Sequence, residues 1–272
     1  MTTLRQFLGG LTCALCGWML IACSSEEEAA LTAEGKGLVR IGLSADTGFS
    51  TQTKAVDESS YLEDHPISDY TVQILKGGTL VTGMEWKYSE IPDGLIELSN
   101  GTYTIVAFDG EEYNEDASTR SGIYMYGETD FKVESNQVAE QTVRCTPACG
   151  KLIVNFDEKM ADYFNDYSIQ FKTKAAGEGG SLGWTKKDTE PLYVKLEKGG
   201  ETVTASFSII KKDGTTASVN ALAKKMDWGN SWTINVSPAP ESSLGNLGIT
   251  ITIVDDDLNE EEIPINIPSE WL

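Results

Sequence analysis

The stretch Leu98-Ser99-Asn100-Gly101-Thr102-Tyr103-Thr104-Ile105-Val106-Ala107 decides the fold class of this chain. The pair Asn100-Gly101 between two apolar runs is a strong signal for a β-hairpin, because both residue types accept the positive φ of a tight turn. Beyond the turn, Tyr103, Ile105 and Ala107 recur with a period of two. Alternate side chains of a strand point to opposite faces of a sheet, so this pattern predicts a strand that buries one face.

The same period of two recurs on both sides of this stretch. Further predicted strands lie at residues 38–44, 70–75, 131–133, 138–143, 152–156, 167–171, 192–196, 203–209, 232–236, 247–253 and 263–267. Helical spacing is confined to two short candidates, Glu158–Asn165 and Val219–Met226. Many short strands separated by turn signals favour antiparallel β-sandwiches over an α/β fold.

The length indicates two such sandwiches. A sandwich of about seven strands needs about 100 residues, and roughly 235 residues follow the N-terminal segments of this chain. We therefore predict an all-β protein with two antiparallel β-sandwich domains in tandem. The pair Thr146-Pro147 interrupts two strand runs, so the predicted N-terminal domain covers residues 37–147 and the C-terminal domain covers residues 148–272.

The amino-acid composition argues against several classes of function. The chain has 42 acidic and 21 basic residues among 272, a net charge of −21. That charge repels phosphate backbones, so we expect no nucleic-acid partner. His65 is the only histidine, which rules out a metal site built from several histidines and disfavours Ser-His-Asp or Cys-His catalysis. We expect a non-enzymatic protein without a cofactor or a metal.

Residues 1–22 have the layout of a secretory signal peptide. Arg5 precedes an apolar stretch from Phe7 to Ala22, which is too short and too interrupted by Gly and Cys for a membrane span. The segment ends in Leu20-Ile21-Ala22-Cys23, which resembles a bacterial lipobox. We therefore predict that Cys23 becomes the lipidated first residue, in the outer membrane. The alternative is an ordinary secretory signal with an incidental cysteine.

Residues 23–36 form a predicted acidic tether. Directly after Cys23 come Ser24, Ser25, Glu26, Glu27 and Glu28, which resemble the surface-export signal of Bacteroidetes lipoproteins. The alternative is a solvated tether that holds the folded part away from the membrane. Because the chain is acidic, its predicted contact with the membrane is the lipid anchor and not an attraction to headgroups.

Cys145 and Cys149 are the two cysteines beyond the anchor. The cell envelope is oxidising, so this pair is a candidate disulfide. The closed loop would be small and its geometry strained, which leaves two buried small side chains as the alternative. A metal pair is disfavoured, because no histidine or further cysteine stands nearby in the sequence.

Exposed tryptophans on a sandwich face would suit sugar stacking. Trp184 follows the flexible stretch 177–183 and is the best candidate for exposure, although packing in a core is favoured. Trp232 is in phase with Ile234 and Val236, which predicts that it lies in a core.

Taken with its neighbours, the opening stretch resembles a known family. It has the pattern L-x-x-G-x-Y-x-[VI]-x-A of transthyretin-like sandwiches. Together with the lipobox and the segments Gly37–Ile41, Ser68–Val72, Gly127–Val133 and Val143–Cys145, it resembles Bacteroidetes fimbrillin-like surface lipoproteins. The resemblance is closest to the domain-of-unknown-function family 4493, across residues 36 to about 230. It implies two transthyretin-like sandwiches, a role in cell adhesion or pilus assembly, and no catalytic residues.

The resemblance also implies partners. These are other pilus or surface subunits, or a host or glycan receptor. In fimbrillin-type pilins, cleavage after a basic residue removes the first strand, and a C-terminal strand of a neighbour replaces it. The matching candidate maturation site is Lys54-Ala55, and the candidate donor is the hairpin of Leu247–Val254 and Ile263–Ile267. We favour an intact subunit, because those pilins generally have Arg at the site. The alternative function is a glycan-binding lipoprotein of a polysaccharide-uptake system.

Overall fold

The computed structural model describes residues 35–49, 58–92, 95–110, 118–120, 122–177, 182–239, 248–255 and 259–266. Within these ranges the chain is almost entirely β-structure. The two α-helices there, α1 (Tyr61–Asp64) and α2 (Met160–Tyr163), are single turns. Short 3₁₀ turns lie at Glu58–Ser60, Ile67–Asp69 and Tyr88–Glu90. The predicted all-β class is confirmed, and no helix in the described ranges has the length and apolar composition to cross a bilayer.

The strands divide into two groups. Those of the first half are β1 (Lys36–Ala45), β2 (Thr71–Lys76), β3 (Thr79–Lys87), β4 (Ile96–Ser99), β5 (Gly101–Asp109), β6 (Ser118–Thr119), β7 (Met125–Val133) and β8 (Val138–Pro147). Those of the second half are β9 (Cys149–Phe156), β10 (Phe164–Lys172), β11 (Leu182–Thr185), β12 (Leu192–Lys195), β13 (Glu201–Lys211), β14 (Thr216–Met226), β15 (Ser231–Ala239), β16 (Gly248–Val254) and β17 (Glu260–Asn266).

Seven of the eight strands in the first group form one sheet in the order β3-β2-β5-β7-β8-β1-β4, which we call the N-terminal module. β7 and β8 pair only at Met125–Pro147 and Tyr126–Thr146, so the sheet has two halves joined at this corner. Both halves contribute to one apolar core. Its fully buried members include Val39 of β1 and Ile105 of β5.

The opening sequence motif forms the predicted strand but not the predicted hairpin. Tyr103, Ile105 and Ala107 are buried, which confirms the predicted core face of β5. However, β4 pairs with β1, whereas β5 pairs with β2 and β7. Asn100-Gly101 therefore carries the chain from one half of the sheet to the other. Both flanking strands bury apolar side chains in the same core, so they face each other and are not paired edge to edge.

The second group forms the C-terminal module from two sheets. One has the order β11-β10-β13-β14, and the other has the order β17-β16-β15-β9-β12-β6. Their apolar side chains meet in a second core, in which Phe171, Trp184 and Ile251 are almost fully buried. The strand β6, which comes from the first half of the chain, extends the edge of this sheet by pairing with β12.

Neither module is purely antiparallel, and in this the prediction was wrong. β1 runs parallel to β8 over Leu38–Ala45, and β15 runs parallel to β9 over Ser231–Val236. A period of two indicates which face of a strand is buried. It does not indicate the direction of the neighbouring strand, because parallel and antiparallel strands both alternate their side chains.

The helical candidate Val219–Met226 was also wrong, because it lies in strand β14. The pairing of β13 with β14 shifts register between Ala205 and Ser206, so β14 has a bulge. A bulge inserts one residue and reverses which positions face the core. Ala217 is buried before the bulge and Leu222 after it, and the resulting odd spacing imitates a helix. The other candidate, Glu158–Asn165, contains the single turn α2 and then enters β10.

Candidate binding surface at the module junction

The predicted anchor and processing residues lie outside the described ranges. They are Cys23, Ser24, Ser25, Glu26, Glu27, Glu28, Lys54 and Ala55. Lipidation, surface export and proteolytic maturation therefore stay predictions.

Cys145 and Cys149 are both buried thiols, and no disulfide joins them in the described structure. This arrangement favours the alternative of two buried small side chains, and the pairing of the two cysteines stays a prediction. The Cys145 thiol donates a hydrogen bond to the carbonyl oxygen of Ala107 at 3.4 Å. Burial, followed by the charge of Asp109, raises the pKa of Cys145 to about 12. Both cysteines belong to the N-terminal core, where they act as apolar packing residues.

A buried ion pair joins the two modules. Lys151 lies on β9, and only 2% of its side chain is exposed. Its ammonium bonds to the carboxylate of Glu58, which precedes α1 in the N-terminal module. The hydroxyl of Tyr193, on β12, donates to the same carboxylate at 3.1 Å. Burial and then the nearby Glu58 charge raise the pKa of Tyr193, which keeps its hydroxyl protonated as a donor.

Apolar contacts surround this ion pair. The ring of Phe49 lies 5.8 Å from the Tyr193 ring, and the Lys151 ammonium lies 5.5 Å from the Phe49 ring centroid. Tyr193 itself belongs to the N-terminal core, although its strand belongs to the C-terminal module. The two modules therefore share packing at their junction and are not joined by the chain alone.

Arg120 forms a second link between the modules. It directly follows β6, and its guanidinium donates to the carbonyl oxygens of Glu190 at 2.6 Å and Gly183 at 3.1 Å. It also lies 4.5 Å from the Trp184 ring centroid and 3.5 Å from a carboxylate oxygen of Asp188. A planar guanidinium suits such simultaneous stacking and hydrogen bonding. This second contact holds the end of β6, a strand from the first half of the chain, against the C-terminal module.

Trp184 was the best candidate for an exposed, sugar-stacking tryptophan, but the favoured prediction that it packs in a core is confirmed. It is 1% exposed, because it lies in the C-terminal core beneath Arg120. The prediction that Trp232 lies in a core is confirmed, since that residue is 2% exposed. The tryptophan that reaches the surface at the junction is Trp228, which the sequence reasoning did not single out.

Trp228 is presented by a turn between β14 and β15. The amide of Asn230 donates to the carbonyl oxygen of Asp227, and Gly229 has a φ of 75°. A β-turn that needs a positive φ at its third position favours glycine there. The indole nitrogen donates to the carbonyl oxygen of Leu196 at 3.0 Å, and the ring is half-buried against the C-terminal core. The indole is therefore held in one orientation.

Three aromatic rings of the N-terminal module continue from Trp228. Tyr126 meets it edge-on, with 5.8 Å between centroids. Tyr124 lies 6.3 Å from Tyr126, and Phe108 lies 6.4 Å from Tyr124. All four side chains are half-buried. We call this set, Phe108, Tyr124, Tyr126 and Trp228, the aromatic row.

Strand register explains why the row forms. Phe108 on β5 lies directly opposite Tyr126 on β7, and Tyr124 stands directly before β7, two residues from Tyr126. Phe108 and Tyr126 lie on the face of β5 and β7 opposite the buried Met125 and Ala107. The alternation Tyr124-Met125-Tyr126 is the one local sequence signal for the row, because in an extended chain it places two tyrosines on the same side. The pairing with β5 and the approach of Trp228 depend on the tertiary structure.

Two opposite charges flank the row. Lys198 of the C-terminal module forms an ion pair with Glu128 of β7, and its ammonium lies 5.8 Å from the Tyr126 ring centroid. The hydroxyl of Tyr126 donates to Glu128 at 2.6 Å. The bonds from Lys198 and then from Tyr126 lower the pKa of Glu128, so the carboxylate is ionised at neutral pH. Both charged side chains remain substantially exposed and accessible to a ligand.

His65, the single histidine, has a local structural role. Its Nδ1 lies 3.0 Å from a carboxylate oxygen of Asp109, and its ring stacks on Tyr61 at 4.1 Å. Tyr61 donates to the same Asp109 oxygen at 2.9 Å. Within the described residues, no cluster of three or more His, Cys, Asp or Glu side chains has the arrangement of a metal site.

A comparison with known protein families identifies the family of this chain. The family model DUF4493, a domain of unknown function, matches residues 35–269. The chain belongs to the DUF4493 family. The resemblance inferred from the sequence is thereby confirmed, and in this DUF4493 protein the match extends past residue 230 to the last strands. The comparison with curated proteins found no match.

Several solved structures are similar to this DUF4493 protein over most of its length. A fimbrial assembly protein from Parabacteroides distasonis has 14% identity, covers 84% of this chain and 99% of its own, and has a TM-score of 0.47. A proposed cell adhesion protein from Bacteroides eggerthii has 13% identity, 82% and 97% coverage, and a TM-score of 0.41. A protein proposed to bind polysaccharide, from Bacteroides thetaiotaomicron, has 12% identity, 87% and 100% coverage, and a TM-score of 0.42. With TM-scores below 0.5, none of them defines a site in this chain.

Proposed function

We propose that this protein is an outer-membrane lipoprotein that faces the cell exterior and serves as an adhesion or pilus-associated subunit. The observation that carries the proposal is the position of β1, the strand nearest to the predicted anchor. β1 pairs with β8 over eight residues, Leu38–Ala45, and with β4 over Lys36–Val39. Its Val39 is fully buried in the N-terminal core.

This arrangement suits a protein that must withstand force between an anchor and a ligand. Tension applied through Cys23 would pull along β1, so its backbone hydrogen bonds would be loaded together and not one after another. The Lys151–Glu58 pair and the Arg120 contacts would pass that force to the C-terminal module. An enzyme or a soluble carrier has no comparable need for such continuity.

The predicted tether would give the folded part considerable reach. The 13 residue steps from Cys23 to Lys36 span at most about 47 Å, at up to about 3.6 Å per residue. Glu26, Glu27 and Glu28 would keep this segment solvated.

The geometry supports an intact subunit over strand exchange. β16 contributes Ile249, Ile251 and Ile253 to the C-terminal core, where each is at most 1% exposed. Donating this strand to a neighbour would open that core. β17 lies at the edge of its sheet and carries the exposed Glu260–Glu262, and Pro264 stands within it. Charges and proline are typical of edges that resist pairing with another chain.

A glycan-binding lipoprotein is the second candidate function. The observation that favours it is the aromatic row, which offers a half-exposed ring surface with adjacent charged groups at the module junction.

The anchor is tested by Cys23→Ala in cells that carry a tagged full chain. We expect the variant to lose metabolic labelling by a fatty-acid analogue and to leave the membrane fraction. Cys16→Ala is the matched control, because Cys16 lies inside the predicted signal peptide. Unchanged labelling and partition of Cys23→Ala would contradict the proposal.

Surface display is tested by changing Glu26, Glu27 and Glu28 to Ala. We expect less antibody labelling of intact cells at equal total protein. The same change at Glu260, Glu261 and Glu262 is the control, because it removes an equal charge from exposed positions of β17. If both triple variants label equally, the acidic run acts only as a tether.

Adhesion is tested with the same cells. In a surface-attachment assay, fewer cells of a strain that lacks the protein should adhere. Expression of the wild-type protein should restore adhesion, and expression of Cys23→Ala should not. The mature N-terminus distinguishes the two modes of assembly. An acylated Cys23 supports an intact subunit, whereas a chain that begins at Ala55 and forms SDS-resistant oligomers, lost in Lys54→Ala, would support strand exchange.

A further inference from the structure

The aromatic row joins half-buried side chains from both modules into one continuous surface. Trp228 belongs to the C-terminal module, and Tyr126, Tyr124 and Phe108 belong to the N-terminal module. Two rings of the row are held in place without a ligand, Trp228 by its hydrogen bond to Leu196 and Tyr126 by its hydrogen bond to Glu128. A surface whose side chains are already ordered loses little entropy when a ligand binds.

The rings are tilted against each other and do not form one flat plane. Interplanar angles along the row are 46°, 37° and 68°. Aromatic faces carry partial negative charge, so they attract weakly positive C–H groups. A sugar ring presents such C–H groups on one face, and successive sugars of a chain are rotated against each other. The tilted rings therefore match a short run of linked sugars.

The flanking groups suit the hydroxyls of such a ligand. The Glu128 carboxylate accepts hydrogen bonds and the Lys198 ammonium donates them, whereas a hydroxyl does both. Further along the same face, the hydroxyl of Thr104 donates to Asp130 at 2.6 Å. Protein interfaces are depleted of Lys, Glu and Asp at their centres. The Lys198–Glu128 ion pair lies against Tyr126, near the centre of the row. The row is therefore less suited to a protein partner than to a ligand with many hydroxyl groups, such as a sugar.

Net charge narrows the ligand class further. The chain carries −21, and an acidic polysaccharide would meet long-range repulsion. A neutral glycan avoids that repulsion and still offers the hydroxyls that Glu128 and Lys198 require.

We propose that the aromatic row binds a neutral oligosaccharide segment, with sugar rings against Tyr126, Tyr124 and Trp228 and with hydroxyls bonded to Glu128 and Lys198. This inference rests on the binding role proposed above and names its site and its ligand class. The junction between the modules is then part of the binding site, because neither module supplies the whole row.

The test is affinity electrophoresis of the full-length protein, purified in a nonionic detergent. Native gels contain dextran, laminarin, yeast mannan, galactan or xyloglucan as neutral probes, or heparin or polygalacturonate as acidic probes. We expect at least one neutral probe to retard the wild type, and neither acidic probe to do so.

Substitutions within the aromatic row test whether the glycan binds there. Trp228→Ala should weaken binding at least about tenfold, as expected for an aromatic residue at the centre of a site. Tyr124→Ala should also weaken binding, and it leaves the Trp228–Leu196 bond in place if the first variant proves unstable. Trp228→Phe should keep most of the affinity, because it retains a ring. Trp86→Ala is the matched control, since Trp86 is half-buried on β3 outside the row.

Three results would overturn the inference. They are the absence of retardation by all five neutral probes, equal losses in Trp228→Ala and Trp86→Ala, and stronger binding to an acidic probe. Capture on immobilised collagen or fibronectin that is lost in Trp228→Ala would assign the row to a protein partner instead. None of these outcomes depends on lipidation, so a failed Cys23→Ala experiment and a failed glycan experiment are distinguishable.

Discussion

Glu58→Ala tests whether the two modules depend on the buried ion pair at their junction. The side chain of Lys151 is 2% exposed and that of Glu58 is 11% exposed, so water screens the pair little. Removing one partner leaves the Lys151 ammonium buried without its carboxylate. Breaking a buried pair in this way costs about 3–5 kcal/mol of unfolding free energy. Tyr193 also loses the acceptor of its hydroxyl.

The assay is urea unfolding followed by far-UV circular dichroism and tryptophan fluorescence. With a slope of about 3 kcal/mol per M, the loss lowers the midpoint by about 1–1.7 M. Glu63→Ala is the matched control, because Glu63 is exposed on the adjacent α1 and the change in charge is the same. We expect it to change stability by less than about 0.5 kcal/mol.

A double variant separates loss of the pair from loss of packing. In Glu58→Ala with Lys151→Met, no charge is left buried, and an apolar side chain of similar length replaces the lysine. Such replacements of buried pairs are often neutral or stabilising, so most of the lost stability should return. The reasoning is refuted if Glu58→Ala is no more destabilising than Glu63→Ala, or if the double variant is less stable than Glu58→Ala.

Three further predictions follow from the described structure. Cys145 and Cys149 should resist a thiol reagent in the folded protein and react fully in denaturant, because both are buried; rapid reaction, or a disulfide in the mass spectrum, would contradict this. The melting temperature should fall as pH rises above about 9. Burial raises the pKa of the Cys145 thiol from 9.0 in the unfolded chain to about 12 in the folded protein. The stability that this buried thiol contributes is therefore complete below about pH 9 and is lost as the pH rises through about 12. The raised pKa of Tyr193 acts in the same direction, and a melting temperature that is constant from pH 8 to 11 would be incompatible with both shifts. Gly127→Ala should cost about 1–3 kcal/mol, because its Cβ would lie 2.4 Å from the carbonyl oxygen of Arg144, whereas Gly122→Ala has open space and should be nearly neutral by thermal melting.

Much of the local structure could be predicted from the sequence. The buried faces of β5 and β15 follow from the alternation at Tyr103–Ala107 and Trp232–Val236, and the family follows from motifs that are contiguous along the chain. Errors arose where a local signal had two physical meanings. Asn100-Gly101 fits both a hairpin turn and a crossing between sheet halves, and the bulge in β14 gave apolar residues a helix-like spacing.

The candidate site could be predicted far less well. Trp184 was the favoured tryptophan for exposure because a glycine-rich stretch precedes it, but the C-terminal core and Arg120 cover it. Trp228 lies 102 residues after Tyr126 in the chain, and nothing local to either residue indicates that their rings meet.

By itself, the sequence determined the β class, the strand faces, the family and the acidic charge, because each depends on residue type and on spacing within a few positions. The tertiary structure alone decided the parallel pairings, the buried Lys151–Glu58 pair and the aromatic row. The physical reason is that alternation sets the direction of a side chain relative to its own strand. Which strand lies beside it, and which side chain meets it from the other module, depends on how distant segments share one core.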